Sequence, residues 1–295
     1  MQTANTTPAT ATGLQTKAMI VNLSICLWSA RKHDKKISRE VANNHNTDTD
    51  AGRYNKILMA KDKLEAIQKN AGAARIYFYE NTLPWGDNGD RILPSANYFE
   101  FVREMGFFQN QDEQLKNAFI DNYPAFVQDE RIRLNGMYSE SDYPSVNQIA
   151  GKFKFKVSFM PLPEMDFRLD LSQTEINNLT KQVENTFKER INAAVKDTWD
   201  RIKTQLTHMR EKLQPIDADT NKPPVFRNSL VDNLKDIIEL LPKLNVTNDA
   251  NIDAICKQME SLVVDPEKLR TSSVLRSQKA DEVNKILENF SDFFS

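Results

Sequence analysis

The chain has 295 residues, 40% of them apolar, enough to bury a substantial core in one large domain or two ordinary ones. Its 39 basic and 41 acidic residues nearly cancel, so no whole-molecule field drives it onto polyanions or anionic lipid, and a nucleic-acid contact would need a local patch. Only 8 glycines occur, far below the roughly 7% share usual in globular chains, which argues against turn-rich all-β architectures and for helices.

From the start, Met1 to Thr12 is rich in Thr and Ala, with neither a basic nor an apolar block of the kind a secretory signal carries, so residues 1–16 are expected to be a loose tail. The longest apolar run, near Ile20 to Trp28, is interrupted by Asn22 and Ser24 and falls short of the ~20 residues a bilayer span needs. Cys26 and Cys256 lie far apart in apolar-patterned segments, as suits a reducing compartment. A soluble cytoplasmic protein with no membrane partner is the expectation.

Met19 to Trp28 alternates, with Val21, Leu23, Ile25 and Leu27 on one face and Asn22, Ser24, Cys26 and Trp28 on the other, which predicts a strand. The basic cluster Arg31, Lys32, Lys35 and Lys36 follows, then a short helix near Ser38 to Asn44 and a polar loop from Asn43 to Asp50. Ile57 to Tyr79 has apolar residues at three- and four-residue steps, predicting an amphipathic helix that stops before Pro84. Thr82 to Pro94 has the prolines, glycines and acids of a loop, which Trp85 would pin to the core. Ser95 offers a cap for a helix bearing Phe99, Val102 and Met105, and a second helical piece runs from Asp112 to Tyr123 before Pro124.

Lys152 to Met160 reads as a second strand, with Phe153, Phe155, Val157 and Phe159 opposite Lys152, Lys154, Lys156 and Ser158. Ser172-Gln173-Thr174-Glu175 then matches a capping box, in which serine and glutamate side chains reciprocally satisfy two backbone N–H groups. Apolar residues recur from Ile176 to Leu213, predicting one helix over 172–213, roughly 60 Å long at 1.5 Å per residue. Such a rod needs a partner helix from its own chain or another copy, as in a bundle or coiled coil. Phe187, Ile191, Trp199, Ile202 and Leu206 are its candidate partner-contact residues. A connector from Gln214 to Pro224 precedes three helices, Asn228 to Leu241, Asn251 to Val263, and one opening at Asp265 or Ser273 and ending near Phe293.

Phosphate-loop, dinucleotide, nucleophile-elbow, HExxH and paired CxxC motifs are missing from the sequence, so no catalytic residue and no cofactor is assigned. His33, Asp34, His45, Asp48 and Asp50 are the one gathering of metal-ligand residue types, at no fixed ligand spacing, and a metal-dependent hydrolase would centre there. Asp87 and Asp90 in the Trp85 loop read as turn residues, and His208 as the flank of the long helix. Nucleic-acid binding would use Arg31, Lys32, Lys35, Lys36, Lys152, Lys154 and Lys156, with Trp28 or Tyr54 for stacking. The bland alternative for the alternating lysines is a wet face or a guarded edge.

The segment from Val21 to Lys32, with its Leu27-Trp28-Ser29-Ala30-Arg31-Lys32 ending, resembles the opening of the DUF3150-type proteins of phages, prophages and plasmids. The later order is similar too, with the aromatic strand, the long helix, Leu240-Leu241-Pro242-Lys243-Leu244 and Asp265-Pro266-Glu267-Lys268-Leu269. Lys35 to Tyr54 departs from that pattern. The resemblance implies a mobile-element origin and operation beside a MoxR-type AAA+ ATPase and a von Willebrand factor A-type protein, and it transfers no catalytic residue.

The expectation is therefore a mainly α (α+β) fold, a helical bundle around one long helix with a small antiparallel β element in the N-terminal half. An α+β part over 17–170 would precede a helical part over 171–295. The expected function is that of a non-enzymatic accessory protein acting through helical protein contacts or self-association.

Overall fold

The computed structural model describes residues 14, 16–163, 172–214 and 227–294. Residues 1–13 of the expected tail, and all of the 214–224 connector except Gln214, lie outside the described residues, whereas Leu14, expected in that loose tail, is 1% exposed and packs in a core with Ala18 and Ile20. In chain order the elements are β1 (Ala18–Cys26), β2 (Arg31–His33), α1 (Lys35–His45), β3 (Asn55–Ile57), α2 (Lys61–Glu80), β4 (Leu83–Pro84), β5 (Arg91–Pro94), α3 (Tyr98–Leu134), α4 (Val146–Ala150) and β6 (Lys154–Met160). Then come α5 (Gln173–Leu213), α6 (Ser229–Leu244), α7 (Ala250–Glu260), α8 (Pro266–Thr271) and α9 (Ser273–Asn289). The fold is mainly helical with a small antiparallel sheet, as the composition predicts.

One sheet has the strand order β4-β5-β1-β6, and β2 and β3 form a separate antiparallel pair. β5 runs antiparallel to β1, with Ala18 opposite Pro94 and Val21 opposite Arg91. The Thr82 to Pro94 stretch is thus a short hairpin where a loop is expected. Its strands are two and four residues long, too short for an alternating signal.

The chain divides into two compact units that interleave along the sequence. One takes the described residues within Met1–Asn22, Tyr79–Glu100 and Phe159–Ser295, and the other takes Leu23–Phe78 and Phe101–Ser158. The expected division near residue 170 is replaced because the β4–β5 hairpin and the start of β1 share a core with α5. Trp85 meets Phe187 edge-on at 5.2 Å, and Ala18, Ile20, Leu83 and Ile92 cluster with Phe187, Ile191 and Ala194.

In the first unit, α5 is the expected 41-residue rod, and both halves of the Ser172–Glu175 capping box form. Its middle and C-terminal parts bury Trp199, Ile202, Leu206, Met209 and Leu213 against Leu234, Leu241, Ile255, Met259, Val283 and Ile286. Burying each such aliphatic side chain stabilises by about 1.5–3 kcal/mol. The C-terminal residues fold back onto the rod, with the Trp199 ring stacked on Phe293 at 4.7 Å and on Phe290 at 6.1 Å. The partner-contact expectation is corrected here: Phe187 and Ile191 are each 7% exposed, Trp199 is 3% exposed, and Ile202 and Leu206 are fully buried. The rod finds its partner helices in its own chain, so these side chains present no surface to a second one.

In the second unit, α2 and α3 lie antiparallel. The Asn70 side-chain amide donates to the Phe108 carbonyl at 3.0 Å, while the Ala60 N–H, at the start of α2, donates to the Glu130 carboxylate at 2.7 Å. That buried carboxylate, paired with Arg133, caps the positive end of α2. The two helical pieces expected around residues 99–123 are one helix of 37 residues with Pro124 inside it. The proline removes the N–H that would reach the Ile120 carbonyl, but Phe119 and Tyr123 before it are buried and Phe126 after it packs on the same core, so tertiary contacts carry the helix through. Trp28, expected on the strand face with Asn22, Ser24 and Cys26, is also buried in this core, 5.9 Å from Tyr123 and 6.3 Å from Phe119. β1 ends at Cys26, and Ala30 takes a positive φ of 49°, so the strand's alternation does not extend to Trp28.

Candidate functional site

The segment holding most of the predicted basic and metal-ligand residues folds around a buried lysine. Lys56, on β3, is 5% exposed. Its Nζ lies 2.5 Å from Asp142 Oδ2 and 3.4 Å from Asp34 Oδ2, and donates to the Met137 carbonyl at 2.8 Å. Lys32, on β2, meets the other Asp142 oxygen at 2.8 Å. Asp34 also caps α1, accepting the N–H groups of Lys36 and Ile37 at 3.1 and 3.2 Å. A buried charge is tolerated only when paired and hydrogen-bonded, and here one ammonium has two carboxylates and a carbonyl.

The titration of these groups follows from the geometry. The Ile37 N–H, and then the Lys56 ammonium, hold the Asp34 carboxyl below its ordinary range. Burial pushes Asp142 up, but the hydrogen bonds from Lys32 and Lys56 outweigh it and the net shift is downward. Burial likewise works to lower Lys56, while Asp142 and Asp34 reverse the sign and hold it above its usual value. Lys32 and Asp34, predicted for different roles, are thus members of one structural lock. Lys56 is the residue that sequence reasoning missed, since a lone lysine carries no signal of burial.

Beside the lock, Ser38 is a second node. Its hydroxyl donates to the Asp34 carbonyl at 2.7 Å and accepts the Tyr54 N–H at 3.0 Å. With its one proton committed, the remaining 3.1 Å contact requires His33 Nε2 to be the donor. A half-open cleft of about 290 Å³ lies over this node, lined in part by Ser38, Val41, Ala42, His45, Asp48 and Tyr54. The structure thus places His45 and Asp48 on one cleft wall, turns His33 to Ser38, and leaves Asp50 exposed in a turn. Among the described residues no three His, Cys, Asp or Glu side chains gather in a way that holds a metal ion.

The two basic groups fall on different sheets. Arg31 and Lys32 belong to the β2–β3 pair and Lys35 and Lys36 to the first turn of α1, whereas Lys154 and Lys156 belong to β6, just after Lys152. All seven side chains are exposed. Trp28 is enclosed in the core and cannot stack on a base, while Tyr54 is 40% exposed at the cleft.

The Trp85 loop is held by turn chemistry. Asp90 accepts the Asn22 side-chain amide at 3.0 Å, its carbonyl accepts the Gly86 N–H at 3.1 Å, and Gly89 supplies a φ of 85°, which costs a glycine little. His208 is exposed on the flank of α5.

A surface that the sequence reading left aside lies in the first unit. Phe99, placed on an apolar helix stripe by its spacing, is 84% exposed, and Phe159 and Met160, at the end of β6, are 40% and 44% exposed. The Tyr98 ring touches both aromatic neighbours edge-on, Phe99 at 5.4 Å and Phe159 at 5.8 Å. Comparison with protein-family models, with curated proteins and with solved structures returns no match to this chain.

Proposed function

We propose that this chain is a non-enzymatic accessory protein that works in the cytoplasm of a bacterial host by binding another protein. The observation that carries the reading is the Phe99–Tyr98–Phe159 ring cluster with Met160 beside it, held in water at the surface. Grouped exposed aromatic side chains are unfavourable in isolation, and they are the residue types that anchor protein interfaces. The resemblance to phage and plasmid DUF3150-type proteins supports a mobile-element setting. It also makes a MoxR-type AAA+ ATPase the first partner to test. No helix among the described residues is long and apolar enough to cross a membrane.

The test is co-expression of the tagged full chain with such an ATPase, comparing wild type with Phe99→Asp. Phe99 is so exposed that the variant should keep its fold, which circular dichroism checks. The reading expects the ATPase to be retained by wild type and reduced by about tenfold or more in the variant, the scale of an interface anchor. Equal retention by both, or no retention by either, contradicts it.

A further inference from the structure

β6 stands at the end of the strand order β4-β5-β1-β6, so one of its backbone edges faces no strand among the described residues. An edge of this kind presents a row of N–H and C=O groups ready to pair with another chain. The side chains along it sort by face. Lys154 and Lys156 are exposed, and Phe155 and Val157 between them are half-buried. Before the strand, Lys152 is exposed in a turn, its N–H bonded to the Ile149 carbonyl, and Phe153 is buried. Lys154 and Lys156 therefore stand on one face about 6.6 Å apart, two residues of strand rise. They form no ion pair among the described residues.

From this arrangement we infer that the Lys154–Ser158 stretch of β6 is a docking edge for an extended acidic segment of a partner protein, which adds as a further strand. Backbone hydrogen bonds to the open edge supply a sequence-independent part of the affinity. Carboxylates at alternate positions of the incoming strand match the lysine interval and select the partner. The same lysines repel the β6 edge of a second copy, because like charges directly opposite are destabilising. A single nucleic-acid strand would need rings between the cations for its bases to stack on. The rings nearest the lysines, Phe153 and Phe155, sit on the opposite face, one buried and one half-buried, so the peptide is the better fit.

The inference rests on the protein-binding reading above but names a different surface, so the two can fail separately. The experiment titrates the full chain into a labelled, blocked seven-residue peptide alternating glutamate with valine, read by fluorescence anisotropy. Parallel arms use the same peptide N-methylated at alternate residues in either register, a lysine–valine peptide, and a single-stranded oligonucleotide. The expected result is saturable binding of the acidic peptide. At least one N-methylated register and the lysine peptide should bind about tenfold more weakly, and hydrogen exchange should slow at the β6 amides.

Lys154→Glu and the milder Lys154→Gln should each weaken the acidic peptide, the former by about tenfold. Lys154 is exposed, so the fold should survive both substitutions. Phe99→Asp should leave peptide binding unchanged. No binding of the acidic peptide, indifference to N-methylation in both registers, indifference to Lys154→Glu, or tighter binding of the oligonucleotide overturns the inference. Phe99-dependent capture of a partner alongside a failed peptide titration would remove the docking edge alone.

Discussion

Replacing Trp199 by alanine separates a rod that is internal scaffold from a rod that serves a second chain. Trp199 is 3% exposed, and its ring faces Phe293, Phe290 and Phe294 at 4.7, 6.1 and 5.9 Å. Truncating a buried tryptophan removes its transfer free energy and leaves a cavity, about 3–5 kcal/mol together, and part of that figure is the ~0.5–1.5 kcal/mol of ring geometry that aromatic pairs contribute beyond area. Because the C-terminal Phe290–Phe294 segment has Trp199 as its floor, the loss should concentrate there and in α9. The assay is urea unfolding of the full chain, with hydrogen exchange resolving α9 from the rest, since two units need not unfold in one step. The expected outcome is a loss of about 3 kcal/mol or more in the first unit and faster exchange at the last helix, with Trp199→Phe losing less. A change within about 0.5 kcal/mol, the range of surface substitutions, together with normal exchange in α9, would refute the packing argument.

Two further predictions concern the second unit. Lys56→Met should destabilise it by about 3 kcal/mol, the lower end for breaking a buried ion pair, because Asp142 keeps Lys32 and Asp34 keeps its helix-cap bonds; a neutral or stabilised variant in urea unfolding would show that the lysine is not enclosed as described. The pH dependence follows from the same lock. Asp34 and Asp142 lie below the ordinary 3.8 when folded, so their contribution is present above that value and is lost as pH falls through their lower folded range. Lys56 lies above the ordinary 10.5, so its contribution is present below that value and is lost as pH rises past it. Unfolding midpoints of wild type against Lys56→Met should converge in acid and in strong alkali, and a constant gap at every pH would contradict the assignment.

The large features were legible from residues alone where a periodic signal ran long enough. α5 announces itself through a capping box and some forty residues of three- and four-residue steps, and β6 through a near-complete alternation. Short strands carry no such signal. β3 carries no strand signal of its own, because Ile57 and Leu58 fit the spacing of the helix that follows, and β4 and β5 read as turn chemistry because Pro84 and Pro94 sit in them. Pro124 was read as a stop because local sterics make it one, and burial on both sides of it overrode that rule. The interleaving of the two units was invisible because it depends on non-local contacts such as Trp85 on Phe187.

The candidate surfaces divide the same way. The lysines of β6 were found by their alternation, and their placement at a sheet edge came only with the strand order. The His- and Asp-bearing stretch drew notice for its residue types, yet the structure turns His33 toward Ser38 and Asp34 toward Lys56, leaving His45 and Asp48 at a cleft. Phe99, Val102 and Met105 lie on the helix that their spacing predicts, but spacing does not tell which of them meets the core: Met105 is buried, while Phe99 stands in water and Val102 is 37% exposed.

The protein-binding account is tested most directly by hydrogen exchange on the full chain with and without a MoxR-type AAA+ ATPase. It predicts slowed exchange at Tyr98–Val102 and Phe159–Met160 on adding the ATPase, and none of that slowing in Phe99→Asp. Unchanged exchange at those residues, or slowing confined to the His45–Tyr54 cleft, would contradict it.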